Sequence, residues 1–241
     1  MPIKVKILIL SGYGLNCEEE TACGFNQAGG QAEIVHINDL ISKDKKPADY
    51  QILVFPGGFS YGDDLGSGYA FANRVRNNLG EAITAFINQD KLVLGICNGF
   101  QILVSLGLLG EVALKWNDSG RYIDTWVDLK VVGKTPWLEG IKELSLPVAH
   151  GEGKFYTRVK VATALKYINN TNPNGSFQDI AGITDKSGRI FGLMPHPERA
   201  IFFTQLPDWP LLKERYLRQG KRLPQFGPGL KIFQNGVKYF K

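Results

Sequence analysis

The chain has little of what builds stapled, metal-clasped or membrane-embedded proteins. Cysteine occurs three times in 241 residues, an odd number with no C-x-x-C pair. That excludes a disulfide framework and a zinc knuckle, and it fits a reducing compartment. Long apolar runs are also missing. Near the start, Lys4 and Lys6 are followed only by Ile7-Leu8-Ile9-Leu10, too short for a signal-peptide core or a membrane span, so the chain reads as soluble and cytoplasmic, with no membrane partner. Nucleotide-cradling motifs are absent. Gly12-x-Gly14 meets Cys17 where a dinucleotide fingerprint needs its last glycine, and Gly151-Glu152-Gly153-Lys154 lacks the spacing and the Ser/Thr of a P-loop. The net charge of +5 is mild and partly gathered in Lys213, Arg215, Arg218, Lys221 and Arg222. With no nucleic-acid motif beside it, that cluster reads as a solvated face or a protein-partner surface, with no nucleic acid bound.

What is present is ample apolar content, 44% of residues, arranged in alternating elements without repeats or low-complexity tracts. The pattern predicts strands at Val5–Leu10, Ala32–Ile37, Ile52–Phe55, Leu92–Leu94 and Ile190–Met194. A helix should follow Ser11-Gly12-Tyr13-Gly14, capped by Asn16 with Glu19 in capping-box spacing, and end at Gly29-Gly30. Further helices are expected over Ala82–Asn88 and Phe100–Leu106, and Leu230, Phe233, Val237 and Phe240 lie at helical spacing. Between Lys115 and Ser187 the pieces become more β-like, as at Thr125–Val132 and Glu143–Ala149, which predicts antiparallel additions. The expectation is therefore one α/β domain spanning residues 1–241. It has a mostly parallel central sheet, helices on both faces and a small antiparallel addition, and ligands bind beyond the carboxyl ends of the strands.

Gly95-Ile96-Cys97-Asn98-Gly99 lies where a strand hands over to a helix. The flanking glycines permit the sharp turn of a nucleophile elbow with cysteine in the serine position, and the helix start favours a thiolate. A cysteine nucleophile needs a base and a group to orient it. Three histidines are available. His36 lies within a strand and reads as structural, whereas His150 and His196 both occur as His-x-Glu, a spacing that in extended backbone projects both side chains to one side. His196-Pro197-Glu198 is favoured because prolines at 195 and 197 restrict its backbone and a central strand precedes it. His150-Gly151-Glu152 stays open as the alternative. Gly57-Gly58 after the third strand and the N–H of Asn98 are candidate oxyanion donors.

Three segments together, Pro56-Gly57-Gly58-Phe59-Ser60-Tyr61-Gly62-Asp63, Leu94-Gly95-Ile96-Cys97-Asn98-Gly99-Phe100-Gln101 and Met194-Pro195-His196-Pro197-Glu198-Arg199, resemble the class I glutamine amidotransferases, whose fold is flavodoxin-like. Gly-Gly-Phe-Ser-Tyr-Gly-Asp, Ala149-His150-Gly151-Glu152-Gly153 and Pro-His-Pro-Glu-Arg point to their purine-synthesis branch, the glutaminase subunits of phosphoribosylformylglycinamidine synthase. Asp64-Leu65-Gly66-Ser67-Gly68 is similar to the variant found in the long fused synthases.

The resemblance implies Cys97 as nucleophile, His196 as acid/base and Glu198 as its orienting partner. It implies an oxyanion hole from Gly58 and Asn98, and glutamine contacts at Gln101 and in the Asn117-Asp118-Ser119 loop, so Asn117 and Ser119 are expected in the substrate site. His150 would face the partner side. No metal or cofactor is expected in this chain. The implied partner is an ATP- and magnesium-using synthase that converts formylglycinamide ribonucleotide to the amidine with ammonia from L-glutamine, and a small bridging subunit is allowed for. Rival readings are a stand-alone cysteine hydrolase or chaperone of the related flavodoxin-like superfamily, a binding protein with Cys97 as a redox sensor, and a glutaminase of another pathway.

Overall fold

The computed structural model describes residues 4–63 and 66–241. Asp64 and Leu65 of the variant loop, and residues 1–3, lie outside the described residues. Chain order runs β1 (Lys6–Ser11), α1 (Glu18–Gln27), β2 (Gln31–His36), α2 (Ile37–Ile41), β3 (Ile52–Phe55), α3 (Tyr69–Ile87), β4 (Leu92–Ile96) and α4 (Asn98–Ser105). It continues with β5 (Val112–Trp116), β6 (Ile123–Val131), β7 (Glu143–His150), β8 (Glu152–Thr157), β9 (Ala162–Tyr167), β10 (Ile180–Thr184) and β11 (Ile190–Leu193). The final helices are α5 (Trp209–Arg218) and α6 (Leu230–Lys238).

Among the described residues nine strands form one sheet in the order β2-β1-β3-β4-β11-β10-β9-β6-β7, and β5 pairs with β8 in a separate antiparallel ribbon. The first five strands are parallel, and the antiparallel addition continues the same sheet from β11 outward. Sequence explains the division. Ile52–Phe55, Leu92–Ile96 and Ile190–Leu193 are buried throughout, as strands covered on both faces must be. β8 instead alternates half-buried and buried residues, as a ribbon with one covered face does.

Helices α1 with α6, and α3 with α4, pack as pairs on the sheet. Phe25 of α1 meets Phe233 of α6 edge to face, with centroids 4.9 Å apart. A Cβ on Gly24 would stand 2.8 Å from the Phe233 ring, so the glycine permits this close approach. Among the described residues no helix is long and apolar enough to cross a membrane.

Several boundaries differ from the sequence expectation. Helix α1 begins after Cys17, which makes no side-chain cap, and the expected cap Asn16 stands one residue too early, its Oδ1 accepting from Cys17 Sγ at 3.5 Å. Ser11 Oγ instead donates to Glu18 Oε1 at 2.7 Å. Ile37 leaves the second strand to open α2, whose first turn is capped by His36 Nδ1 accepting from the Asn38 N–H. Helix α3 is 19 residues long rather than starting at Ala82. Its buried face, Phe71, Ala72, Val75, Leu79, Ile83 and Phe86, is helical in period but masked in sequence by the polar Asn73–Asn78 stretch. The basic segment near the C-terminus forms α5, which buries none of its residues.

Candidate active site

Three neighbouring parallel strands deliver the site. β3 runs into Gly57-Gly58, β4 into Cys97, and β11 into His196. In register, Phe55 pairs with Gly95 and Leu193 with Ile96, so the three carboxyl ends are level and strands about 4.8 Å apart bring their loops together.

Cys97 sits at φ 50, ψ −105 between β4 and α4, a conformation that costs a non-glycine residue roughly 1–3 kcal/mol. The turn is held from both sides. Cys97 N–H donates to the Leu193 carbonyl at 2.8 Å, and a Cβ on Gly99 would stand 1.8 Å from the Phe55 carbonyl oxygen. The helix can start so close to β3 because position 99 is glycine. Cys97 is 5% exposed, and its sulfur lies 3.6 Å from the Ala149 carbonyl.

Gly58 has φ +152, and a Cβ there would meet the Leu15 Cα at 2.6 Å. The loop after β1 pairs with it. Asn16 N–H donates to the Gly57 carbonyl and Phe59 N–H to the Gly14 carbonyl, on either side of the antiparallel Leu15–Gly58 bridge. That is the non-hydrogen-bonded position of an antiparallel pair, so the Gly58 N–H points away from the loop.

His196 and Glu198 meet, though not by strand alternation. Pro197–Arg199 forms one turn of 3-10 helix with His196 extended just before it, and the turn folds Glu198 back so that its Oε1 accepts from His196 Nδ1 at 2.5 Å. Both residues are buried, and Nε2 of His196 and Oε2 of Glu198 have no hydrogen-bond partner among the described residues. Burial opposes the charged imidazolium, but the Glu198 carboxylate and the Cys97 and Cys17 sulfurs outweigh it and raise His196 well above its ordinary value. The turn is anchored by the far edge of the sheet. His196 N–H donates to the Pro147 carbonyl of β7 at 2.8 Å, a bond available because β7 is an edge strand whose outer carbonyls lack a ladder partner.

His150 closes the site at the end of β7 but belongs to a different network. Asn117 Nδ2 donates to the carbonyls of Arg121 and His150, while its Oδ1 accepts from Gly153 N–H. The amide orientation is thereby fixed, and His150 Nδ1, 3.1 Å from that Oδ1, must be the donor. Asn174 Oδ1 accepts from Ser176, which turns its Nδ2 toward His150 Nε2 at 3.4 Å. His150 is thus a neutral Nδ1–H imidazole. Burial, then the nearby His196 charge, push it down to about 4.

The expected substrate contacts divide. Gln101 Nε2 donates to the Glu152 carbonyl at 2.5 Å and its Oε1 accepts from Asn98 Nδ2 at 2.8 Å, which among the described residues leaves one N–H and one lone pair unused. Asn117 has none left, because both of its N–H groups and both lone pairs are engaged, so its structural task is to hold His150. Ser119 is exposed, with its Oγ at the Arg121 backbone. Tyr122, partly exposed over the same region, is raised by the burial of its remaining surface and by the neighbouring Cys97 sulfur. Sequence reasoning gave no role to Pro147, Cys17 or Arg199 at this site. Arg199 Nη2 donates to Cys17 Sγ at 3.3 Å, a contact between residues 182 positions apart that no local spacing signals.

The chain matches the model of the CobB/CobQ-like glutamine amidotransferase domain over residues 4–240. It is 49% identical to phosphoribosylformylglycinamidine synthase subunit PurQ of Methanococcus maripaludis, covering 98% of this chain and 97% of that protein. It is 45% identical to the same subunit of Dehalococcoides mccartyi, with 98% of each covered. Among solved structures it is similar to a chain of PurLQS from Thermotoga maritima, with a TM-score of 0.81 and 33% identity over 99% of this chain and 100% of that one.

Proposed function

The chain belongs to the CobB/CobQ-like glutamine amidotransferase family, and we propose that it is the glutaminase subunit of phosphoribosylformylglycinamidine synthase in purine biosynthesis, working in the cytoplasm as one domain. It releases ammonia from L-glutamine for a synthase subunit that makes the amidine from formylglycinamide ribonucleotide. The observation that carries this reading is the buried His196–Glu198 pair at 2.5 Å at the end of the strand beside the Cys97 elbow, in a chain 49% identical to a PurQ subunit over nearly its whole length.

In this reading Cys97 sulfur attacks the side-chain amide carbon of glutamine, and the carbonyl oxygen becomes an oxyanion facing the N–H groups of Gly58 and Asn98. His196 Nε2 carries the thiol proton to the departing nitrogen, so ammonia leaves and a thioester remains. The same nitrogen then takes a proton from water as the water attacks the thioester, and returns it to the Cys97 sulfur as glutamate departs. Glu198 holds the Nδ1–H tautomer and stabilises the imidazolium in both halves. Gln101 has the spare amide capacity to meet glutamine, and Ser119 is a further candidate contact from the Asn117-Asp118-Ser119 loop. This chemistry is carried by side chains, and ATP and magnesium would serve the synthase. Ammonia protonated in bulk water is a poor nucleophile, which favours transfer within a complex, with a small bridging subunit as a further member.

The test is reconstitution with a synthase subunit, comparing glutamine with ammonium chloride as nitrogen source. Cys97→Ala should lose glutamine-driven turnover and keep ammonium-driven turnover. Equal glutamine use by the variant would sink the assignment.

A further inference from the structure

Cys17 has no part in the chemistry above, yet it stands beside its central group. Its N–H donates to the Gly57 carbonyl at 3.2 Å, which ties it to the turn after β3, and its side chain is 1% exposed. On one side Arg199 Nη2 donates to the sulfur at 3.3 Å. On the other the sulfur lies within 4.8 Å of both a ring nitrogen of His196 and a carboxylate oxygen of Glu198. A Cβ on Gly57 would stand 2.9 Å from His196 Cε1 and 3.2 Å from Cys17 Sγ, so ring and sulfur pack against the same face of a glycine that has no side chain to separate them.

His196 needs such support. The Glu198 bond fixes one ring nitrogen, while Nε2, which must face Cys97 and then water, has no hydrogen-bond partner among the described residues. A single hydrogen bond at Nδ1 resists but does not lock rotation about the Cβ–Cγ bond, so any small swing of Nε2 is limited by what packs against the ring. A sulfur braced by a guanidinium against the ring restricts that swing.

We propose that Cys17, held by Arg199, is a positioning residue that keeps the His196 ring aligned between Glu198 and Cys97. The inference rests on the glutaminase reading. The charged and titratable groups facing His196 are Glu198 and Arg199 on its own turn, Cys97 at the elbow, Cys17 after β1, His150 at the end of β7 and Tyr122 above. Among these Cys17 acts in the same sense as Glu198 and Cys97, favouring the imidazolium.

The experiment uses the complex with the synthase subunit, with assembly checked by co-elution, and compares wild type, Cys17→Ala and Cys17→Ser. Misplacing a catalytic group by about 1 Å costs on the order of a hundredfold, so Cys17→Ala should lower glutamine-driven kcat by about 10- to 100-fold. KM for glutamine should stay within about twofold and ammonium-driven turnover should be unchanged. Losing an acceptor that favours the imidazolium should also move the basic limb of the kcat profile to lower pH. Cys17→Ser, whose hydroxyl can still accept from Arg199, should restore most of kcat.

A Cys17→Ala complex with kcat within about twofold of wild type, a fall in kcat with the basic limb unmoved, or a serine variant as impaired as the alanine one would overturn the inference. Should Cys17→Ala fail to assemble, Arg199→Lys carries the test. It keeps the charge but loses the guanidinium fork, so kcat should fall with KM unchanged, and wild-type kcat would overturn the proposal. A wild-type complex unable to use glutamine would instead fail the functional reading itself, and this inference with it.

Discussion

His150-Gly151-Glu152 and His196-Pro197-Glu198 share one spacing and flank one site, yet their histidines are opposite groups. His196 keeps its own glutamate, at 2.5 Å, and is raised. His150 turns away from Glu152 to two asparagines and is pushed down to about 4. Among the described residues the Glu152 carboxylate makes only a long contact, its Oε2 accepting from Ser67 N–H at 3.4 Å. The difference lies in the residue after each histidine. Pro197 opens a tight turn that folds the carboxylate back onto Nδ1, whereas Gly151 continues into β8 and leaves the ring to Asn117. A Cβ on Gly153 would stand 2.4 Å from the His150 ring, so the ring occupies the space where the next side chain would be. Acid/base identity here is set by the partner the backbone presents, and spacing alone does not fix it.

The sharpest break of this comparison is to neutralise each carboxylate. Glu198→Gln should keep the shape of the pair but lose the charge that holds the tautomer and stabilises the imidazolium. By analogy with other triads the loss in glutamine-driven kcat is about 10³- to 10⁴-fold. Glu152→Gln should cost less than about threefold, since its carboxylate touches neither histidine in the structure. Ammonium-driven turnover serves as the control for both. Similar losses in the two variants would mean that His150 shares the acid/base role.

A second test separates the histidines by stability. The folded value of His150, about 4 against an ordinary 6.5, means that the unfolded chain takes up its proton first as pH falls. Its contribution is fully present above about pH 6.5 and is lost between there and about pH 4, by at most roughly 3 kcal/mol. His196 has the opposite sign, because its raised value gives a contribution that is present at low pH and lost as pH rises through the folded value. Urea unfolding at pH 7.5 and 4.5 should show wild type losing about 2–3 kcal/mol more on acidification than His150→Gln. Equal losses would mean that His150 is not held neutral in the fold.

How much of this was legible in the sequence depends on which contacts are local. The continuous apolar runs of β3, β4 and β11 announce strands buried on both faces, and the glycines at 95 and 99 announce the elbow, because each is a property of a few adjacent residues. The pairing of His196 with Glu198 was legible for the wrong geometric reason. The expectation was an extended segment, and the prolines that argued for it instead lead into a 3-10 turn. What was hidden is what crosses the sheet. Asn117 was expected to meet glutamine, but its four hydrogen bonds go to Arg121, His150 and Gly153, and nothing near residue 117 reveals that β7 and β8 come to rest beside it. Pro147 weakened the case for its own strand, yet as an edge residue it tolerates the missing N–H and gives its carbonyl to His196. Of α5 only the charge was read, although Trp209, Leu212 and Tyr216 stand half-buried at helical spacing and Tyr216 meets Phe203 edge to face at 6.0 Å, because that stripe is short and interrupted by the exposed Leu211 and Leu217.

The smallest expected effect concerns how firmly the His150 side is tied. Asp118, next to Asn117, pairs with Lys154, the residue after Gly153, so an ion pair spans the two segments that clasp His150. The carboxylate is 62% exposed and the ammonium 28%. At that exposure solvent and salt screen the pair and side-chain entropy offsets much of it, so Asp118→Asn should cost under about 1 kcal/mol and less in high salt. The His150 titration followed by NMR should not move, because the ring is fixed by buried amides whose partners are backbone groups. A fall of several kcal/mol, or a rise of His150 toward its ordinary value, would show that the surface pair rather than the Asn117 network decides how that histidine is held, and the contrast with His196 would then rest on charge instead of on hydrogen-bond geometry.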